Sequence, residues 1–238
     1  MNALLFGIWI QWKLDLRNRN NLLTYYAVPL LFFLFMGGIF SSIMPDSKTT
    51  LIQSMVVFGV SMGAFLGTPA PLVDVFTTEI KKAYIIGGIP LWSVVVNNTL
   101  SAFIHLSLMA LIILLGAAFI FGATLPENPS TFFAAQSLFI LASIGVGTVL
   151  GLYSPDHTKL TLLSQMVFLP SIMLGGIMFP ASLLPSALQT VGNVFPATWG
   201  FIATTTNSLD FNGLYPLLIC LFLSAITVAI RLYQHSRA

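Results

Sequence analysis

Long apolar runs, continuous rather than alternating, are separated along this chain by short polar connections. Crossing a bilayer as a helix takes roughly 20 apolar residues. Six runs reach that length: 23–44, 51–73, 93–122, 132–153, 160–179 and 214–232. Between them lie "MPDSKTT", "DVFTTEIKKAYIIGGIPLW", "ATLPENPS", "SPDHTK" and a stretch that ends in "NSLDFN". A transmembrane barrel would alternate in hydrophobicity, whereas unbroken runs predict helices. The expected fold is an all-α integral membrane protein with six transmembrane helices in a single transmembrane domain, residues 1–238.

The composition agrees. Hydrophobic residues make up 57% of the 238 positions and charged ones only 7%, with a mean hydropathy of +0.93. Soluble domains carry roughly 25% charged residues, so most of this surface is expected to face lipid. Cys220 is the only cysteine, which excludes a disulfide or a thiolate metal site within one chain. The opening "MNALLFGIWIQWKLDLRNRNN" has its basic residues after the apolar stretch and no small-residue cleavage site, so it is expected to be retained. A net charge of +2 gives no reason to expect a nucleic-acid partner.

Where the charges sit is more informative. With the amino terminus in the cytoplasm, that side collects Lys13, Arg17, Arg19, Lys81, Lys82, Lys159, Arg231 and Arg237, and the other face has only Lys48. This is a strong positive-inside bias, and it predicts that both termini are cytoplasmic in a cell (plasma or inner) membrane. The bias also fixes the parity of the uncharged stretch 160–209. Two full crossings there would make Asp210 cytoplasmic and put Arg231 and Arg237 outside. One crossing by 160–179 is therefore expected, with 180–206 turning back at the outer side. Pro180, Pro185 and Pro196 cut that part into pieces too short to span. It reads either as a re-entrant hairpin or as a helical hairpin on the membrane surface.

Two further segments are not spans. In residues 1–22, Leu5, Ile8, Trp9, Trp12 and Leu16 follow helical spacing, while Gln11, Lys13, Asp15, Arg17 and Arg19 occupy the other face or the end. This predicts an amphipathic interfacial helix, either a plain anchor or a mechanical elbow. In "DVFTTEIKKAYIIGGIP", residues 74–90, Asp74 is a candidate cap for a short helix. Glu79, Lys81 and Lys82 give that helix a charged face, and Gly87, Gly88 and Pro90 stop it. It reads as a docking surface for a cytosolic partner or as a solvated loop helix.

Taken together, an interfacial helix, six spans, a short charged helix after the second and a broken segment before the sixth resemble the membrane subunit of type-2 ABC transporters, the exporter-like permeases. The most specific stretch is "GGIMFPASLLP…NVFPATWGF", similar to the outer-side signature of that family; "TTEIKKAYIIGGIP" is similar to its cytoplasmic loop. The resemblance implies a half-transporter that pairs with a second permease subunit, as a homo- or heterodimer. Each subunit would sit on a cytosolic ATPase subunit that carries ATP and magnesium. It implies ATPase coupling through the amino-terminal elbow and the helix from Asp74 to Ile86, with Asp74, Glu79, Lys81, Lys82 and Pro90 as coupling residues. It implies an external gate at Phe179, Pro180, Leu184, Pro185 and Pro196. It also places the second and fifth spans beside the substrate path, where Phe58, Met62, Phe65, Met166 and Phe168 would form an adaptable apolar lining. The implied activity is export of a hydrophobic or amphipathic cargo (drug, antibiotic peptide or lipid), which can confer multidrug or antibiotic resistance.

The residues add independent constraints. None of the five lysines stands in G-x-x-x-x-G-K-[ST], so nucleotide phosphates are expected on another polypeptide, with no catalytic residue and no cofactor in this chain. H-E-x-x-H is absent and no metal site is expected. His105 is the one ionisable residue well inside a span; it is a candidate for an ion-coupled secondary transporter or channel, or a core histidine bonded to a neighbouring helix. Gly59, Gly63, Gly67, Gly147 and Gly151 form small-xxx-small repeats for close helix approach, within one subunit or at a seam between subunits.

Overall fold

The computed structural model describes residues 3–43, 48–206 and 211–237, and these are helical with no strand among them. Helix α1 covers Ala3–Arg17. Asn18 then stops it and starts the next helix, its Oδ1 accepting from the backbone N–H of Asn20 and Asn21 at 3.0 and 3.4 Å. Helix α2 (Arg19–Leu22) passes through a π turn (Leu23–Ala27) into α3 (Val28–Ile43). Helix α4 (Leu51–Met62) likewise passes through a π turn (Gly63–Gly67) before α5 (Ala70–Thr77). The two π turns pack on each other, and the Tyr25 hydroxyl in the first lies 3.3 Å from Thr68 Oγ1 just past the second.

Helix α6 (Ile80–Ile86) is short and ends where Gly88 takes φ +66°, a left-handed conformation that glycine alone adopts cheaply. Helix α7 (Leu91–Phe121) has 31 residues, about 46 Å at 1.5 Å per residue, more than a bilayer core requires. Helix α8 (Pro129–Tyr153) starts with Asn128 accepting from Thr131 N–H at 3.3 Å and a proline in its first turn. Helix α9 (His157–Leu174) is capped by Asp156, which accepts from Lys159 N–H at 2.8 Å. After a one-turn 3₁₀ helix (Ala181–Leu183) come α10 (Ser186–Gly192), α11 (Pro196–Thr205) and α12 (Phe211–Arg237).

Helix α4 is the centre of the bundle. Every residue from Leu51 to Ser61 is buried, enclosed by α3, α7, α8, α9 and α11. Lipid is as apolar as leucine, so this packing rests on close contact rather than on water exclusion. The glycine repeats supply that contact inside the chain: a Cβ at Gly147 would overlap the Ala64 carbonyl oxygen, and one at Gly151 would stand 2.8 Å from that of Pro69. A Cβ at Gly63 would meet Leu106 and Tyr25, and one at Gly59 would meet Met109.

Five stretches among the described residues are long and apolar enough to cross a membrane: Arg19–Ser42, Leu51–Thr77, Leu91–Phe121, Pro129–Tyr153 and Gly213–His235. They coincide with five of the six expected spans. The expected span 160–179 corresponds to α9, which stops at Leu174 after 18 residues and is not among the five. Its physical difference is polarity, with His157, Thr158 and Lys159 at its start and Ser164, Gln165, Pro170 and Ser171 within it. Residue 44 of the first expected span, and residues 207–210 with the Asp210 of the parity argument, lie outside the described residues.

Candidate functional site

Helix α1 packs along α7, and its polarity is inverted relative to a helix in water. Leu5, Phe6, Trp9 and Leu14 are exposed. Asp15, expected on the solvated face, is instead 3% exposed and turned into the protein. Its Oδ2 accepts from Ser101 Oγ at 2.6 Å, and its Oδ1 accepts from Gln11 Nε2 at 3.1 Å and Asn21 Nδ2 at 3.0 Å. The inversion follows from the solvent, because an apolar face suits lipid and polar groups must be satisfied within the protein. Burial pushes the Asp15 carboxyl above the usual carboxylate range, and the bonds from Ser101, Gln11 and Asn21 oppose that push. Lys13 lies on the outer side, its Nζ 3.8 Å from the centre of the Trp9 ring.

His105 completes this buried network. Its Nδ1 is 2.7 Å from the Tyr26 hydroxyl, its Nε2 is 4.0 Å from Asp15 Oδ2, and its ring stacks on Tyr25 and Trp12 with centroids 5.2 and 6.1 Å away. At 1% exposure it is a packed core histidine.

The charged loop helix is less buried than any other helix near it: no residue of α6 is buried. Asp74 does not cap it, since Asp74 lies inside α5. Glu79 holds the capping position, but the side-chain bond comes from Thr78, whose Oγ1 accepts from Ile80 N–H at 3.3 Å. Glu79 and Lys82 form an ion pair of 2.8 Å that is largely exposed and therefore weak. The other two charged residues reach distant helices. Asp74 Oδ1 is 2.7 Å from His157 Nε2 at the start of α9, and Lys81 Nζ is 3.2 Å from His235 Nδ1 near the end of α12. Pro90 precedes α7, its carbonyl accepting from Ser93 Oγ at 2.7 Å.

At the other broken segment, the stop after α9 belongs to glycine. Gly175 ends the helix and Gly176 takes φ +73°, ahead of Pro180. Pro180 and Pro185 then separate the 3₁₀ turn from its neighbours, and Pro196 opens α11. Phe179 is exposed, Leu184 half-buried and Pro196 buried. Helix α10 packs on α9, with Gly192 against the Leu174 carbonyl, while its other residues are not buried. Helix α11 is anchored: Gly200 fits against the Phe139 ring, Thr198 Oγ1 donates to the Gly192 carbonyl at 2.6 Å, and Trp199 Nε1 donates to that of Asn193 at 2.7 Å.

The five residues expected along a substrate path do not share one surface. Phe58 and Phe168 meet edge to face at 5.7 Å, with Phe32 stacked on Phe58 at 3.9 Å. Met62 is half-buried beside them in the core cluster, and Phe65 is fully buried. Met166 points the other way, 70% exposed in a stripe with Leu162, Leu169 and Met173 on the outer face of α9. Sequence reasoning missed the roles of Asp15, His157 and His235, because each finds its partner on a helix far along the chain. The one available signal was Asp15 itself, a lone acid spaced one turn after Gln11.

Comparison with known proteins agrees with this architecture. The model of the ABC-2 type transporter family matches residues 3–209. Over 125 residues, 51% of this chain, the sequence is 29% identical to the probable multidrug ABC transporter permease YbhS of Escherichia coli strain K12, and equally to that of strain O157:H7. The matched region covers 33% of those relatives, so the chain aligns with about a third of their length.

Proposed function

This chain belongs to the ABC-2 type transporter family, and on that footing we propose that it is the membrane-spanning subunit of an ATP-driven exporter. In this reading α9 completes six spans, both termini are cytoplasmic, and residues 180–206 form a re-entrant hairpin that gates the outer side. Two such subunits pair, as a homo- or heterodimer. A separate ATPase chain holds ATP and magnesium, engages α1 and α6, and drives a hydrophobic or amphipathic cargo outward across the cell membrane. The apolar aromatic cluster of Phe32, Phe58 and Phe168 supports a drug, an antibiotic peptide or a lipid as that cargo.

The observation that carries the reading is the exposed helix α6. It is well terminated and has no buried side chain, yet its segment is bonded to two helices of the bundle. Such a helix has little role in packing and suits a docking surface. An ion-coupled transporter would require a polar group on an open pathway, and the enclosed His105 gives that alternative no support.

The test is co-expression with a cognate ATPase. The chain purified alone is expected to hydrolyse no ATP, and the complex to hydrolyse ATP and transport in vesicles. Transport that persists without any ATPase and follows an ion gradient would overturn the proposal.

A further inference from the structure

We propose that His157 and His235 are positioning residues that fasten the coupling segment to the two helices on either side of the broken outer segment, so that motion of α6 reaches the gate through two ties. The inference rests on the reading of the chain as an ATP-driven permease.

Packing holds α6 only lightly, through the half-buried Tyr84 on the apolar cluster around Leu72. None of its residues is buried, whereas the neighbouring α5 is seated by Leu72, Val73 and Phe76. Polar contacts add to this along the coupling segment. The first tie joins Asp74, on α5, to His157, with Oδ1 and Nε2 2.7 Å apart. His157 begins α9, so the Asp74 carboxylate also sits beside the partly positive end of that helix, next to the capping carboxylate of Asp156. The second tie joins Lys81 to His235, with the ammonium donating to Nδ1 across 3.2 Å. The His235 ring in addition lies 5.1 Å from that of Phe76, directly on α5.

The far ends of the ties are firm. Near His235, Arg231 donates from Nε to the Leu152 carbonyl at 3.2 Å and lies 4.9 Å over the Tyr153 ring, which fixes this part of α12 to α8. Beneath both ties is an apolar pad of Leu72, Phe76, Leu91, Val94, Val95 and Leu152. Helix α9 leads directly into the broken segment, and α12 packs on α11 beyond it. The coupling segment therefore grips one helix before the gate and one after it. Both residues of the first tie are more than half exposed. Exposed polar contacts of this kind are weak enough to break and re-form, which suits a linkage that must change in each cycle.

The experiment uses the full chain in a Cys220→Ser background, complexed with the ATPase that co-purifies with it. Spin labels at Ser130→Cys and Ser182→Cys, both exposed, report the distance between the start of α8 and the broken segment. The native complex is expected to change this distance between its nucleotide-free and ADP–vanadate-trapped states. His157→Ala and His235→Ala are each expected to leave ATPase association and hydrolysis in place while losing more than half of that change. His157→Gln and His235→Gln, which keep a hydrogen-bonding group, are expected to restore much of it, as is the swap of Asp74→His with His157→Asp. A full distance change in both alanine variants would overturn the ties, even with an active complex. So would equal loss in the alanine and glutamine variants, which indicates a structural role only. If no ATPase co-purifies with the native chain, the permease reading itself falls, and the ties as a coupling device fall with it.

Discussion

Ser101 in the middle of α7 donates its hydroxyl to Asp15 of α1 across 2.6 Å, with both residues buried. That bond fixes α1 to a helix long and apolar enough to cross a membrane, and it makes α1 part of the bundle rather than a loose anchor. Ser101→Ala is expected to lower stability by about 2 kcal/mol, the range for a hydrogen bond to a charged group. Asp15→Ala strands the donors of Ser101, Gln11 and Asn21 together and is expected to cost more. Chemical denaturation in detergent micelles measures both. An unchanged midpoint for Ser101→Ala would mean that α1 is held by apolar contact alone.

The same carboxylate predicts a pH dependence. Burial raises the Asp15 pKa in the folded protein, so the folded state holds this proton more tightly than the unfolded chain does. Stability then falls as pH rises from the ordinary aspartate value of about 3.9 up to the folded value, and this contribution is flat on either side. Asp15→Asn removes the titration. Thermal midpoints across that acidic window are expected to fall with rising pH in the native chain and to run flatter in the variant. Parallel curves would show that other groups set the acid profile.

Glycine positions separate packing from propensity. Gly147→Ala places a Cβ on the Ala64 carbonyl oxygen, where only a shift of backbone can make room, so α8 must move away from the π turn Gly63–Gly67. A loss of about 1–3 kcal/mol is expected, as for other overpacked sites. Gly38, also helical, has nothing within 4 Å of an added Cβ. Gly38→Ala is expected to be neutral or to gain up to about 1 kcal/mol from helix propensity. Thermal unfolding of the two variants side by side checks the contrast, and equal effects would contradict the close approach of α8 to the π turn Gly63–Gly67.

Such contacts mark where the sequence stops being readable. The spans at Leu51–Thr77 and Leu91–Phe121 were legible because an apolar run of sufficient length has one physical solution in lipid. The breaks at Pro180, Pro185 and Pro196 were legible because proline lacks the N–H a helix needs. Asp15 was not: its periodicity put it on the polar face, and the packing of α1 along α7 turns that face inward. The contacts of Asp74 with His157 and of Lys81 with His235 link residues 83 and 154 positions apart, distances over which helical spacing carries no information. Met166 and Phe168 are a different case. Two positions apart on one helix they stand about 200° around its axis from each other, so helical spacing already sets them on opposite faces, as found: Phe168 faces Phe58 and Met166 faces out.

The helix stop before the proposed gate has a consequence for mutagenesis. Because Gly175 and Gly176 end α9, replacing Pro185 by leucine leaves α9 as it is. It instead frees the backbone between the 3₁₀ turn and α10, where Pro185 now holds φ −54° and ψ 145°. Neither side of that junction is buried, so the change in stability is expected to stay within about 1 kcal/mol. If residues 180–206 gate the outer side, transport should nonetheless fall several-fold, since a gate depends on a defined angle between its pieces. Gly176→Leu, which forces a branched side chain into a left-handed conformation, should impair both folding and transport. Vesicle uptake of a fluorescent hydrophobic dye, normalised to the amount of ATPase complex, separates the two effects. Pro185→Leu with native transport and native stability would remove the gate from this segment and leave it a structural turn.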